Sequence, residues 1–340
     1  MKKILITGGA GFIGINAAIY FQKKNYQIFI LDNLSRKGTK FNIYKLNKLK
    51  NINFIKADIR NKKKIFEIIR KIKPNLLLHL AAQVAVTTSV LNPYDDYEIN
   101  IKGTLNLLEA LRLHSNKTHF INASTNKVYG KINEDNLIQK KERYVYGKKD
   151  KPTSEKQNLD FYSPYGCSKG SADQYVNDYA RIYNLKTTNF RQSCIYGKYQ
   201  FGVEDQGWIA WFTIAILLNK KITIYGNGKQ VRDALNVLDL CDAYYLSYRK
   251  KIYGTFNIGG GLLNSISLIE LLKLIKNITK KKIRKKITTW RPGDQKIFIS
   301  DNKKFENLSN WKPKITFKKG LSELIEWTKE NINDIEKILK

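Results

Sequence analysis

Short apolar runs separated by helix-like polar stretches dominate the first half of the chain. Residues 3–7 (KILIT) end at a cluster of glycines, and 12–24 then place apolar side chains at helical spacing. Further apolar runs at 27–32, 52–58, 76–81 and 119–125 are each set apart by helical or loop sequence. Runs this short, bounded by turn residues, read as buried strands. Residues 98–114 read as a helix with Leu105, Leu108, Ala110 and Leu111 inward, and 168–183 as another, leading to a strand at 187–190. Strands alternating with helices at this pace predict an α/β fold, a Rossmann-type doubly wound parallel sheet.

After about residue 195 the rhythm changes. Glycine-bearing loops, Trp208, Trp211 and a short strand at 222–225 mix with amphipathic stretches at 267–279 and 319–331. This predicts a dinucleotide-binding domain over 1–195 and a smaller lobe over 196–340, with 235–262 returning to the main sheet through the apolar run 255–261. The Lys- and Asn-rich stretch 131–158 is expected to form a loop, and the last few residues to fray.

At 340 residues and 42% apolar content, the chain can fill a core for both parts. No stretch approaches the roughly 18 continuous apolar residues of a membrane helix, and the opening MKKILITGG reads as a strand rather than a signal core. A cytoplasmic protein is expected. Cys167, Cys194 and Cys241 are too few and too scattered for a disulfide framework, and the three histidines are not spaced as ligands, so no metal is expected. The formal charge of +32 would suit nucleic acid or an anionic surface. Its lysines, however, fall in short clusters at 62–64, 220–221 and 280–286 without interleaved aromatics. General Lys usage explains them better, and neither a nucleic-acid nor a membrane partner is expected. The field would still favour an anionic small molecule.

Chemistry enters at TGGAGFIG, residues 7–14, between a predicted strand and a helix. Gly8 and Gly11 allow a sharp turn close to a pyrophosphate, Gly14 allows close helix–strand packing, and the helix N-terminus supplies donors. Asp32 ends the second strand 18 residues past Gly14, where a carboxylate accepts from both adenosine ribose hydroxyls. Its charge would repel a 2′-phosphate, favouring NAD over NADP, although Arg36 and Lys37 lie nearby. Asp58, ending the third strand, is placed for the adenine amino group.

Tyr165 and Lys169 stand four apart on one predicted helix face. A tyrosine near pKa 10 is a poor base at neutral pH; an adjacent ammonium and a positive nicotinamide ring would each favour the phenolate. Ser124 and Thr125 end a predicted strand at the sheet edge where ligands bind, and a hydroxyl there can bond the reacting oxygen. Thr125, Tyr165 and Lys169 together imply reversible alcohol–ketone chemistry with hydride transfer.

With TGGAGFIG, DNLS, DIR, HLAA, VYG, YGCSK, GNGKQVRD and RPGDQ in order, the chain resembles the extended short-chain dehydrogenase/reductase superfamily. Within it, DNLSRKG (32–38), QVAVTTS (83–89), NPYDDYEIN (92–100), STNKVYG (124–130), LDFYSPYGCSKGSADQY (159–175) and QFGVEDQGWIAWF (200–212) resemble the CDP-paratose 2-epimerases, also called CDP-tyvelose 2-epimerases. The resemblance implies NAD-dependent oxidation of a sugar C2 hydroxyl, rotation of the keto sugar and return of hydride to the opposite face. It gives Tyr165 the proton, Lys169 the tuning and the nicotinamide ribose, and Thr125 the reacting oxygen. It extends the cofactor set to Phe12, Ile13, Asn33, Ser35, Arg36, Ile59 and Ser124, with Leu80, Ala81 and Ala82 along the cofactor and Asn100 behind. It assigns Thr125, Asn126, Gln192, Arg232 and Arg291 to the substrate, the two arginines clamping its pyrophosphate. Trp208 or Trp211 would stack on the base or pack in the core. A homo-oligomer, dimer or tetramer, is implied through the helices at 98–114 and 168–183.

Other readings share these landmarks. A 4,6-dehydratase needs an Asp-Glu pair where Asn126 and Lys127 stand. A UDP-hexose 4-epimerase lies nearer, but would have a shorter 131–158 segment and an Asn at Cys194. Gln192 stands where the narrower family leads one to expect His. Another sugar-nucleotide oxidoreductase, or a non-catalytic dinucleotide- or RNA-binding protein, is the more distant alternative.

Overall fold

The computed structural model describes residues 1–132, 134–148, 151–291 and 294–340. Five strands come first: β1 (Lys3–Thr7), β2 (Gln27–Asp32), β3 (Ile52–Lys56), β4 (Leu76–His79) and β5 (His119–Thr125). Between them run α1 (Phe12–Gln22), α2 (Thr39–Leu46), α3 (Lys62–Ile72), α4 (Val86–Leu91), α5 (Pro93–Asp96) and α6 (Gly103–His114). A short hairpin of β6 (Ile138–Gln139) and β7 (Tyr144–Val145) precedes α7 (Pro164–Tyr183) and β8 (Lys186–Gln192). The remaining chain forms β9 (Cys194–Tyr196), α8 (Trp208–Leu217), β10 (Ile222–Tyr225), β11 (Val231–Asn236), α9 (Val237–Lys250) and β12 (Gly254–Ile258). It ends with β13 (Ser265–Ser267), α10 (Leu268–Thr279), β14 (Lys285–Thr288), β15 (Ile297–Phe298), α11 (Lys303–Ser309), α12 (Phe317–Glu330) and α13 (Ile332–Leu339).

Seven strands build one parallel sheet in the order β12-β8-β5-β4-β1-β2-β3. Strands such as Ile4–Ile6 and Leu76–Leu78 are apolar on both faces and fully buried, so both faces need helical cover. One face packs on α1 and α9 through Ile15, Phe21, Leu240 and Tyr244, the other on α3, α6 and α7 through Ile69, Leu108 and Val176. The chain winds one way from β1 through β3 and the other way from β4 onward. The crevice beyond the carboxyl ends of β1 and β4 is therefore the switch point where this architecture binds ligands. A second core, around Phe212, Leu271, Leu321 and Trp327, sits beyond β9. Among the described residues no helix is long and apolar enough to cross a membrane.

Four local expectations are corrected. The 98–114 helix begins as a π segment, Tyr97–Lys102, whose wider turn rotates the rest of the helix about its axis; Leu107 is buried and Leu105 only partly so. Helix α7 starts at Pro164 instead of 168, with Ser163 Oγ accepting from the Gly166 amide at 3.1 Å. The 131–158 stretch contains the β6–β7 hairpin; Asn133, Lys149 and Asp150 within it lie outside the described residues. The C-terminal residues do not fray but form α13, with Ile335 in the second core and Lys37 Nζ donating to the Leu339 carbonyl at 3.3 Å.

Candidate active site

The turn after β1 is drawn tight by backbone. Gly8 holds φ +65°, and a Cβ on Gly14 would lie 2.4 Å from the Gly8 carbonyl oxygen, so α1 can approach β1 only without a side chain there. Asp32 reaches back under this turn, accepting from the Ala10 amide at 3.1 Å and the Leu34 amide at 2.8 Å. Burial pushes its carboxyl up against these two hydrogen bonds. Burial would raise Asp58 too, but the Arg60 side chain and amide, with Asn33, hold it down at about 2. Asp58 thus already has partners, Arg60 Nη2 at 2.8 Å and Asn33 Nδ2 at 2.8 Å.

Above the turn opens a cavity of about 490 Å³. Its walls include Gly8, Gly11, Phe12, Ile13, Gly14, Asp32, Asn33, Ser35, Arg36, Asp58, Ile59, Leu80, Ala81 and Ala82. Ser124, Thr125, Asn126, Tyr165, Lys169, Gln192 and Arg232 line it as well. Asn100 stands outside the wall and braces it, accepting from the Gln83 amide at 2.9 Å and donating to Ser168 Oγ at 2.9 Å. Arg291 is not brought to the cavity. Its guanidinium lies 3.8 Å from the centre of the Tyr225 ring and donates to the Glu204 carbonyl at 3.3 Å. The two residues after it in RPGDQ, Pro292 and Gly293, lie outside the described residues.

Strand β5 ends at Thr125, and a 3₁₀ turn, Asn126–Tyr129, begins at once. The Thr125 hydroxyl oxygen accepts from the Lys127 amide at 3.2 Å, which fixes it at the strand edge. Helix α7 brings Tyr165, in its first turn, and Lys169, one turn later, against the same edge; both side chains are buried. Ser163 immediately before the helix holds φ 89° and ψ 154°, a conformation that L-residues rarely adopt. The Tyr165 amide donates to Ser89 Oγ at 3.2 Å, tying the helix start to α4.

Burial pushes the Tyr165 phenol up to about 12, opposed by a hydrogen bond with Thr125 and by the Arg36 guanidinium. Arg36, which the local spacing did not announce, is thus a cation close enough to act on the phenol. Lys169 lies a turn deeper along α7, where burial pushes its ammonium down to about 8 and the Asp173 carboxylate works against that shift. Arg36 extends from the loop after β2, and its guanidinium donates to Gln206 of the segment before α8.

Several predicted polar groups already have partners. Ser124 Oγ donates to Asp173 at 2.7 Å, and Gln192 Nε2 to the buried Tyr244 hydroxyl at 2.7 Å. Arg232 lines the cavity but pairs with Asp294 at 2.6 Å. Trp208 lines it too, donating to Cys194 Sγ at 3.1 Å, whereas Trp211 packs against the second core. Sequence reasoning missed Asp173, which is fully buried and paired with Arg191 at 2.9 Å. Its position four after Lys169, on the same inward helix face, was the available signal. It also missed the Arg36–Gln206 contact, which joins residues 170 apart, and Lys127, weighed there only as an acid or base.

The comparisons fit this geometry. The chain is 45% identical over 334 residues to a Salmonella typhi protein named CDP-paratose 2-epimerase, covering 96% of this chain and 99% of that one. The crystal structure of UDP-glucose 4-epimerase from Thermotoga maritima with UDP-glucose superposes with a TM-score of 0.83 at 31% identity, covering 97% of this chain and 99% of that one. That of the Thermus thermophilus UDP-glucose 4-epimerase in complex with NAD does so at 0.82 and 27% identity, covering 96% and 99%. The family model described as GDP-mannose 4,6 dehydratase matches residues 5–324, from inside β1 into α12, and the chain belongs to that family.

Proposed function

We propose that this protein is an NAD-dependent epimerase acting at C2 of a CDP-hexose, interconverting CDP-paratose and CDP-tyvelose. The observation that carries the reading is Thr125, Tyr165 and Lys169 gathered at the end of β5 beside Asn126 and Lys127. The set can take a proton from an alcohol and return it. Neither Asn126 nor Lys127 can replace the carboxylate pair that would eliminate water, which argues against a dehydratase despite the family's description.

The first half of the cavity fits a dinucleotide. Gly14 admits no Cβ, and Asp32, buried and aimed at the turn, would present a carboxylate to a ribose. NAD, when bound there, supplies the acceptor and then the donor of hydride. Gly8, Gly11 and the α1 N-terminus would hold its pyrophosphate and Asp32 its adenosine ribose, while Leu80–Ala82 would flank it. Asp58 would meet the adenine only by sharing its bonds with Asn33 and Arg60. Tyr165 would take the proton of the sugar hydroxyl, Thr125 would orient that oxygen, and Lys169 with Arg36 would supply the positive charge a phenol at about 12 needs in order to ionise. Arg232 would bind the substrate diphosphate, exchanging Asp294 for it. Residues 1–195 with 235–262 would carry the cofactor and the remainder the sugar nucleotide. The exposed Leu91, Tyr94, Leu113 and Ile182 on α4, α5, α6 and α7 support pairing of two copies through these helices. A monomer in sedimentation at micromolar concentration would refute that pairing.

A UDP-hexose 4-epimerase is the second reading, favoured by the Thermotoga likeness and disfavoured by Cys194, whose sulfur holds Trp208 where an Asn would be needed. A panel of CDP- and UDP-hexoses, with products read by NMR, separates them. Inversion at C2 of a CDP-sugar is expected; inversion at C4 alone would overturn the proposal.

A further inference from the structure

Lys127 lines the same cavity as Thr125 and Tyr165, and with proton handling assigned to Tyr165 its charge has no task there. Its backbone is fixed by the turn after β5 and by the bond from its amide to the Thr125 hydroxyl. The side chain is half-buried, and among the described residues its ammonium makes no hydrogen bond or ion pair. Burial and the nearby Arg232 guanidinium push it down to about 8, with Asp294 pulling the other way. Asp294 is already committed to Arg232 at 2.6 Å. Two cations thus share one carboxylate, and the cavity wall beside the reacting site carries an unbalanced positive charge. Such a charge, partly desolvated and without an acceptor among the described residues, is costly unless an anion meets it.

We propose that Lys127 binds the phosphate on the anomeric carbon of the nucleotide sugar, and so presents C2 rather than C4 to Thr125 and Tyr165. The inference rests on the sugar-nucleotide reading above and adds the feature that selects the carbon. Thr125 and Lys127 are two residues apart, at most about 7 Å from Cα to Cα. A phosphate held this near the reacting hydroxyl suits C2, which is bonded to the anomeric carbon. It does not suit C4, across the ring, which would place the phosphate farther out, toward Arg232 alone. A lysine is a compact charge on a flexible stem, appropriate for a phosphate oxygen.

The test compares CDP with CMP by calorimetry on the purified protein with NAD added. The terminal phosphate of CDP stands for the sugar-linked phosphate, which CMP lacks. Lys127→Met is expected to lose about ten- to hundredfold in CDP affinity, the scale of one charge-assisted hydrogen bond, with CMP unchanged and Lys127→Arg recovering most of the loss. Should Lys127→Met not fold, Lys127→Gln removes the charge at similar length and is read in the same way. Equal losses for both nucleotides, or none for either, overturn the proposal while leaving the sugar-nucleotide reading standing. If CDP, CMP, UDP and UMP all fail to bind the unaltered protein, the sugar-nucleotide reading falls and takes this inference with it. Trapping the keto sugar with borodeuteride during turnover needs no variant: label at C2 is expected, and label at C4 contradicts the assignment.

Discussion

Removing the Asp173 carboxylate would strand the Arg191 guanidinium inside the protein. Asp173 is fully buried and Arg191 is 6% exposed. Arg191 Nε and Nη2 dock on the two carboxylate oxygens at 3.0 and 2.9 Å, and Ser124 Oγ donates to the same group at 2.7 Å. What would remain for Arg191 is the Tyr129 hydroxyl, at 3.2 Å from Nη1, and that ring's face, 5.1 Å away. Breaking a buried pair from one side costs about 3–5 kcal/mol, whereas replacing both partners by apolar groups is often nearly neutral. Asp173→Ala should therefore lose about 3–5 kcal/mol in urea unfolding, and Asp173→Leu/Arg191→Met should lose less than Asp173→Ala alone. The carboxylate also ties α7, which carries Lys169, to Ser124, the neighbour of Thr125. Turnover of the folded Asp173→Ala protein should accordingly fall. An Asp173→Ala cost below about 1 kcal/mol, or additive losses in the double variant, would refute the stranded-charge argument.

Tyr165→Phe should lower turnover by roughly 10²–10⁴-fold, the usual contribution of a positioned proton carrier, while acid extraction still yields a full complement of NAD; retained epimerisation would remove Tyr165 as the base. Gly14→Ala would place a Cβ 2.4 Å from the Gly8 carbonyl oxygen and 2.5 Å from the Gly9 Cα. Since the clash is with backbone, it should cost about 1–3 kcal/mol and reduce the NAD extracted, and unchanged NAD content would count against the tight turn. Lys169, pushed from 10.5 to about 8, is charged in both the folded and unfolded states below pH 8. Between about 8 and 10.5 the unfolded chain holds a proton the folded one has lost, so the burial penalty fades as pH rises. Lys169→Met should consequently stabilise the fold more at pH 7 than at pH 10, and equal urea midpoint shifts at both would contradict this.

The parallel sheet was legible because its first strands are short, largely apolar and separated by helices, a pattern that few folds other than a doubly wound sheet can bury. The glycine turn and the Tyr165–Lys169 pair were legible because their local spacing coincides with Asp32 and Thr125 at the ends of predicted strands. Local rules also contained, unused, the Ser163–Pro164 start of α7. The π segment at Tyr97–Lys102 was not readable, since a widened turn has no apolar period of its own. Contacts across the chain stayed hidden for a different reason. Nothing near Arg36 announces Gln206, nothing near Gln192 announces Tyr244, and the pairing of Asp173 with Arg191 emerges only when α7 packs on β8. These contacts also explain where assignments by resemblance were least secure. Arg291 stands in its RPGDQ motif but donates to the Glu204 carbonyl, and Gln192, where the narrower family leads one to expect His, donates to the Tyr244 hydroxyl.

The most direct test of borrowed and returned hydride is turnover of a CDP-hexose in deuterated water, with the inverted carbon examined by NMR and mass spectrometry. Proton handling by Tyr165 at oxygen leaves the carbon-bound hydrogen within the active site, so inversion at C2 without solvent deuterium at that carbon is predicted. Deuterium entering the inverted carbon would mean that a carbanion exchanges with solvent, and would contradict the account.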